Sequence, residues 1–138
     1  MPDPLTGSLV ALLPRLRRYA LSLARSPDRA DELVQIAAER AFAARARFDP
    51  ATRLDHWVLR ILHNAGLDSL RRARTRGDEV EIDDAPDLAA PGAGPQATEA
   101  ALILGTVRAA MARLPADQRA VPTLVCIEEM SYREAAEV

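Results

Sequence analysis

The 138-residue chain has no lysine, a single cysteine and few aromatic residues. Aromatic residues make up 4% of the sequence and hydrophobic residues 49%, so the core must be aliphatic and rich in alanine, a composition that favours helices. The lone Cys126 lies among Leu124, Val125 and Ile127. We therefore predict a small buried hydrophobic side chain there, not a redox or metal-binding thiol.

Long apolar runs and an export signal are also missing. No stretch approaches the roughly 18 apolar residues of a membrane span. The first residues, MPDPLTGS, lack a basic region followed by an apolar stretch. We therefore expect a cytoplasmic protein that makes no membrane contact.

The groupings that enzymes and metal sites require do not occur. His56 and His63, the two histidines, are seven residues apart on one predicted helix, and no cysteine or carboxylate stands at ligand spacing around them. The glycines of PGAGP are not followed by a strand or a helix start, as a phosphate loop requires. We expect no catalytic residues, no metal site and no cofactor.

Charge is divided unevenly along the chain. Residues 1–76 carry 14 arginines and 8 acids (+6), residues 77–99 carry 7 acids and no base (-7), and residues 100–138 carry 4 arginines and 5 acids (-1), which gives the net charge of -2. A basic module, an acidic strap and a near-neutral module therefore follow one another. All 18 cations are arginine, whose guanidinium suits phosphate contact.

Apolar residues at three- and four-residue spacing predict five helices and the start of a sixth. The five run from Leu9 to Ala24, from Pro27 to about Arg45, from Leu54 to about Ala73, from Glu99 to Arg113 and from Ala116 to about Glu129. Pro14 should bend or restart the first helix, and Pro122 should bend the fifth. The stretch SYRE has the pattern of a capping box, with Ser131 and Glu134 bonding each other's backbone, so the last helix begins there.

Residues 77–98 show no helical periodicity, and their acid, Pro, Gly and Ala content predicts a flexible acidic linker. We therefore expect an all-α fold with a three-helix domain at 1–76, the linker at 77–98 and a second helical module at 99–138. In that second module, the residues expected to face inward are Leu104, Val107, Met111 and Leu114.

The third predicted helix presents two different faces. One is a core face, formed by Leu54, Trp57, Val58, Ile61, Leu62 and Ala65. The other repeats at the same spacing and consists of Arg60, His63, Asn64, Leu67 and Arg71. Arginines contact phosphates and an asparagine can hydrogen-bond a base edge, so this second face suits nucleic acid.

Three stretches resemble one family, the extracytoplasmic-function (group 4) sigma factors of bacterial RNA polymerase. DELVQ at 31–35 is similar to the family's acidic-Leu-Val-Gln motif. HWVLRILHNAGLDSLRR at 56–72 resembles its W-L-x-R-I-x-x-N-x-x-x-D-x-x-R-R helix, and LPADQRAVPTLVCIEEMSYREAAEV at 114–138 resembles the opening of its fourth conserved region. The order and spacing of the three stretches fit the family.

The resemblance implies a domain plan. Residues 1–76 correspond to sigma region 2, which binds core polymerase and the minus-ten element, and residues 99–138 correspond to a truncated sigma region 4. Only the first helix of a helix-turn-helix is present, beginning at Ser131, and the family's recognition helix is missing. We therefore expect little capacity to read a minus-thirty-five element.

The resemblance also implies a function: the chain would direct core polymerase to promoters, and melt and read the minus-ten element on the non-template strand. Melting costs about 1 to 2 kcal/mol per base-pair stack, so the protein must bind the opened strand better than the duplex. Phe48 would either stack on a base or fill the helix junction. The residues assigned to DNA are Arg47, Phe48, Arg53, Arg60, His63, Asn64, Arg71 and Arg72.

The second predicted helix carries an acidic, amide-bearing face with an isoleucine beside it. Such a face suits a protein partner that offers basic side chains and a small apolar contact. The resemblance identifies that partner as the clamp helices of core RNA polymerase; a merely solvated helix face is the alternative. The residues assigned to polymerase are Asp31, Glu32, Gln35, Ile36 and Glu39.

Two other functions remain open at the level of the sequence. An anti-sigma factor is an expected partner of the family, and a sigma-like decoy would occupy such a factor without binding a promoter. A helix-turn-helix DNA-binding regulator is the second alternative, but it would need neither the clamp-type helix nor the melting helix.

Overall fold

A computed structural model describes residues 4–24, 26–76 and 98–138, and every regular element in these ranges is helical. In chain order the helices are α1 (Pro4–Leu23), α2 (Pro27–Ala43), α3 (Leu54–Thr75), α4 (Glu99–Ala112), α5 (Ala116–Pro122) and α6 (Tyr132–Glu137). A 3₁₀ turn, Arg45–Arg47, precedes α3, and a π-helical turn, Thr123–Ile127, follows α5. The predicted all-α fold is confirmed. Residues 77–97 of the predicted linker lie outside the described ranges.

Helices α1, α2 and α3 pack on one another around an aliphatic core. The largest fully buried side chains of the three helices are Leu16, Tyr19, Val58, Leu59 and Leu62. Alanines of α2 fill the rest, because Ala30, Ala37 and Ala41 are fully buried and allow close approach. Gly66 of α3 also serves close approach, since a Cβ there would lie 3.1 Å from Leu23 Cδ1.

The starts of the first two helices depend on proline and serine. The side chain of Ser26 accepts a hydrogen bond from the Arg29 backbone, and Pro27 occupies the first turn, as predicted for α2. α1 begins at Pro4, five residues before the predicted start, and the Ser8 hydroxyl donates to the Pro4 carbonyl over 3.1 Å. α1 also continues through Pro14 as one helix, so the predicted restart there does not occur. Among the described helices, none combines the length and apolar content needed to cross a bilayer.

Residues 115–138, which we call the C-terminal segment, pack against α1 and share its core. Leu124 and Met130 are buried in the same cluster as the side chains of α1 to α3. Arg119 is only 6% exposed, and its guanidinium donates to the backbone carbonyls of Ser22, Leu23 and Leu114. Two of these carbonyls belong to the last turn of α1, whose acceptors have no partner within the helix.

Two burial predictions for the second module are wrong. Cys126 is exposed, not buried. It lies in the π turn, where the Glu128 amide donates to the Thr123 carbonyl five residues earlier over 3.1 Å. This wider turn rotates the side chains away from the positions that an α-helix would give them. Leu104 and Val107 of α4 are exposed, since α4 buries none of its residues against the described chain. The predicted bend at Pro122 coincides with the change from α5 to the π turn.

Candidate nucleic-acid interface

A polar stripe follows α3 from its N-cap to its last turns. Arg53, Arg60, Asn64 and Arg71 are exposed and are separated by seven, four and seven residues, which places them on one side of a helix with 3.6 residues per turn. Leu62, on the opposite side, is fully buried. The helix therefore holds three cations and one amide in a row on a surface that a strand can reach.

The loop before α3 adds an aromatic pair and a pocket. The ring of Phe48 lies 5.1 Å from the ring of Trp57, and both side chains are half-buried. Arg47 is exposed beside them on the 3₁₀ turn. A pocket of about 520 Å³ opens next to this loop, and its lining residues are Pro4, Leu5, Ser8, Arg45, Ala46, Phe48, Pro50 and Leu54. Phe48 is thus both part of the helix junction and part of an open pocket wall.

His63 is set apart from the stripe by a contact inside the helical bundle. Its Nδ1 lies 2.8 Å from the hydroxyl of Tyr19, whose side chain is fully buried, and the two rings are stacked. Burial lowers the pKa of His63 below its ordinary value of 6.5, and the carboxylate of Asp117 opposes that shift. Burial likewise raises the pKa of the Tyr19 phenol. His63 is therefore half-buried and bonded to α1, while Arg60 and Asn64 face solvent.

A salt-bridge network holds the beginning of α3. Asp55 accepts hydrogen bonds from Arg53 (2.8 Å) and from Arg15 of α1 (3.1 Å). Burial acts to raise the pKa of Asp55, but the hydrogen bonds from Arg53 and Arg15 outweigh it and keep the pKa below its ordinary value. Sequence reasoning missed Arg15 and Asp55, although an acid in the first turn of a helix is itself a recognisable signal.

The C-terminal segment places acidic side chains against this end of α3. Glu134 lies 3.9 Å from Arg53 and 3.6 Å from His56, and Glu128 lies 2.7 Å from Arg15. The predicted capping box is present, with the Ser131 hydroxyl accepting from the Glu134 amide and the Glu134 carboxylate accepting from the Ser131 amide. Hydrogen bonds with the backbone and side chain of Ser131 lower the pKa of Glu134.

At its other end, α3 carries a basic surface. Arg71 and Arg72 are exposed in the last turns, close to the helix C-terminus whose dipole favours cations. Asp68, one turn earlier, pairs with Arg40 of α2 over 3.2 Å. That exposed pair links α2 to α3, and the arginines beyond it lie at the surface.

All five residues of α2 that were assigned to polymerase are exposed. Asp31 pairs with Arg17 of α1 over 3.0 Å, and the Gln35 amide donates to Glu39 over 3.4 Å. Ile36 is 37% exposed. Glu32 is exposed in the same first turns of α2. The five assigned residues thus share one accessible helix side that mixes acids, an amide and an aliphatic side chain.

The structure leaves most of the residues that were predicted to bind DNA exposed on α3 and the loop before it, and it separates His63 from them. The pocket loop adjoins only the first residue of the stripe, since Arg53 is followed directly by Leu54 of the pocket wall. His63 faces the bundle instead. Within the described ranges, no three histidine, cysteine or acidic side chains gather as a metal ion would require.

Comparison with known proteins agrees with this geometry. Residues 9–76 match the family described as sigma-70 region 2. The chain is 35% identical over 139 residues to an ECF RNA polymerase sigma factor, EcfG of Rhodopseudomonas palustris (strain TIE-1), covering all of this chain and 74% of that protein. It also resembles the structure of the sigma factor RpoE of Bartonella quintana in complex with the anti-sigma factor NepR, with a TM-score of 0.71, 29% identity, and coverage of 96% of this chain and 80% of that one.

The fold and the matched region define a sigma-70 protein. Because the curated relative is more than 30% identical over most of its own length, the chain belongs to the extracytoplasmic-function sigma factors. The family predicted from the three sequence stretches is confirmed.

Proposed function

We propose that this chain is an RNA polymerase sigma factor that binds core polymerase through α2 and captures the non-template strand of the minus-ten element on α3. The single observation that carries the proposal is the exposed stripe of Arg53, Arg60, Asn64 and Arg71 on the matched sigma region 2. It acts by binding and not by covalent chemistry, and it works in the cytoplasm, where the bacterial genome lies.

Strand capture would depend on two kinds of side chain along α3. The arginines bind phosphates, which supplies affinity without sequence information, while Asn64 hydrogen-bonds a base edge, which supplies sequence preference. The pocket beside Phe48 offers an aromatic wall for an unstacked base. Because only the opened strand presents unstacked bases, these contacts favour the melted promoter over the duplex.

Polymerase binding follows from the composition of the α2 face. Its acids attract a basic surface and its apolar contact is centred on Ile36. Core RNA polymerase, through its clamp helices, is the partner that we assign to this face. The similar Bartonella sigma factor was crystallised in complex with an anti-sigma factor, and we propose a partner of that class for this chain as well.

The proposal is tested by binding a minus-ten non-template oligonucleotide and by transcription with core polymerase. We expect Asn64→Ala to weaken strand binding about 10-fold, the equivalent of about 1.4 kcal/mol for a base contact. Ser69→Ala, an exposed change off the stripe, is the matched control and should bind like the parent.

Salt and the α2 face provide independent checks. Strand affinity should fall with rising salt, because phosphate contacts release counterions. Replacing Asp31 and Gln35 together should reduce binding to core polymerase while strand binding persists. A chain that binds an anti-sigma factor but neither core polymerase nor the strand would be a decoy and would refute the proposal.

A further inference from the structure

We propose that the C-terminal segment (residues 115–138) is an intramolecular lid that competes with the promoter strand for the beginning of α3. The inference rests on the proposed function, because it assumes that Arg53 belongs to the strand-binding stripe. In the closed state, the C-terminal segment covers the part of the proposed DNA-binding surface around Arg53. Opening of the lid then governs strand capture.

The lid is seated on α1 by one buried cation. Arg119 donates to the carbonyls of Ser22 and Leu23 at the end of α1, and Leu124 packs into the core of the first three helices. A guanidinium holds several acceptors at once because its donors form a rigid fork. The seat therefore fixes where the rest of the segment lies.

A second contact brings an acidic side chain to the basic side of α1. The Glu128 side chain is 2% exposed, and its carboxylate lies 2.7 Å from Arg15 and 3.5 Å from Arg18. Arg15 also bonds Asp55 at the first turn of α3. The lid is thereby linked through one arginine to the helix that carries the strand-binding stripe.

The third contact is the competitive one. The Glu134 carboxylate lies 3.9 Å from Arg53 and 3.6 Å from His56, at the point where the pocket loop joins α3. A strand that runs from the Phe48 pocket to Asn64 must pass Arg53, where Glu134 now stands in the position of a phosphate. Exposed pairs of this kind are individually weak, so DNA phosphates can replace them.

The remainder of the stripe stays open in the closed state. Arg60 and Asn64 are exposed, and so are Arg71 and Arg72. The lid therefore reduces the fraction of molecules that can bind the whole strand, and the apparent dissociation constant rises by the inverse of that fraction.

The test compares two charge-neutralised variants of the full chain. Glu128→Gln with Glu134→Gln removes the two lid charges but leaves amide oxygens that still accept hydrogen bonds. Glu129→Gln with Glu137→Gln removes the same charge from exposed positions of the same segment and is the matched control. Dyes on the exposed Cys126 and on Asp28→Cys, at the start of α2, report lid position by energy transfer.

We expect the lid variant to show lower energy transfer without DNA and to bind the minus-ten strand more tightly. If opening rises from one tenth to one half of the molecules, affinity improves about fivefold. The control variant should keep the energy transfer of the parent chain and gain clearly less affinity.

Other outcomes separate the two proposals. Unchanged energy transfer in the lid variant would overturn the lid, and so would reduced transfer with the same strand affinity as the control. If the lid variant opens but neither variant binds the strand at all, the docking contacts are supported and the proposed function is refuted.

Discussion

At the scale of single residues, the contact between Tyr19 and His63 joins a buried hydroxyl of α1 to a residue of α3 that was expected to face DNA. Tyr19 is 0% exposed and its hydroxyl reaches His63 Nδ1 over 2.8 Å. A buried polar atom without a partner is costly, so the two side chains depend on each other. Sequence periodicity could place Tyr19 on the core stripe, but it could not show that a residue expected to face DNA would complete its hydrogen bonding.

Tyr19→Phe should therefore lower the free energy of unfolding by about 1 to 2 kcal/mol, because it removes the hydroxyl and leaves His63 Nδ1 without its partner. Urea unfolding followed by circular dichroism measures the change. Tyr132→Phe is the matched control, since Tyr132 is 81% exposed, and it should leave stability unchanged. Equal effects of the two changes would contradict the contact.

His63 also makes stability depend on pH. Burial lowers the pKa of His63 in the folded chain below its ordinary value of 6.5, so the unfolded chain binds the proton more readily. The stabilising contribution is fully present above pH 6.5 and is lost as the pH falls below it. Melting temperatures between pH 8 and about pH 5 should fall less for His63→Gln than for the parent, whereas His56→Gln should keep the decline.

At the scale of the helices, Glu129 is strained by the turn that leads to α6. Its φ of 54° lies in the left-handed region, which costs a side-chain-bearing residue roughly 1 to 2 kcal/mol. Glu129→Gly should stabilise the chain by about 0.5 to 1 kcal/mol, once the greater freedom of glycine in the unfolded chain is subtracted. Glu129→Ala keeps the backbone strain and should not stabilise the chain. The melting temperatures of both variants, compared with that of the parent, test this prediction.

Periodicity and capping residues predicted most of these elements. The start of α2 at Ser26 and Pro27 and the capping box at Ser131 were confirmed because both depend on local chemistry that a sequence displays. The π turn could not be predicted, because Pro122 marks a break without specifying the wider hydrogen bonding that follows.

The candidate DNA-binding site could also be predicted only in part from the sequence. The exposure of Arg60 and Asn64 follows from helical spacing, whereas the ion pairs of Arg15 and Glu128 join residues 113 positions apart. No local pattern encodes such a pair. The DNA and polymerase roles of the named residues remain predictions for the experiments above.

At the scale of the whole molecule, Arg119 joins the C-terminal segment to the end of α1. It is 6% exposed, and its donors satisfy carbonyls of α1 and of Leu114. Arg119→Ala should lower the free energy of unfolding by about 2 to 3 kcal/mol, because it leaves those buried acceptors unpaired. Arg119→Lys should recover only part of the loss, since a single ammonium cannot reach all three carbonyls.

The matched control for this change is Arg113→Ala, at the exposed end of α4, which should unfold like the parent. Urea unfolding measures both variants. An Arg119→Ala chain with an unchanged midpoint would show that the hydrogen bonds of Arg119 do not stabilise the chain.

α4 is less stable towards local unfolding than the helices of the core. Its 14 residues bury no side chain, and an isolated helix of that length is marginal in water. Its backbone hydrogen bonds therefore open by local fraying, whereas those of α1 to α3 break only with the shared core. We therefore expect α4 to unfold on heating, and to be cleaved by a protease, well before the helices that carry the proposed promoter-binding surface.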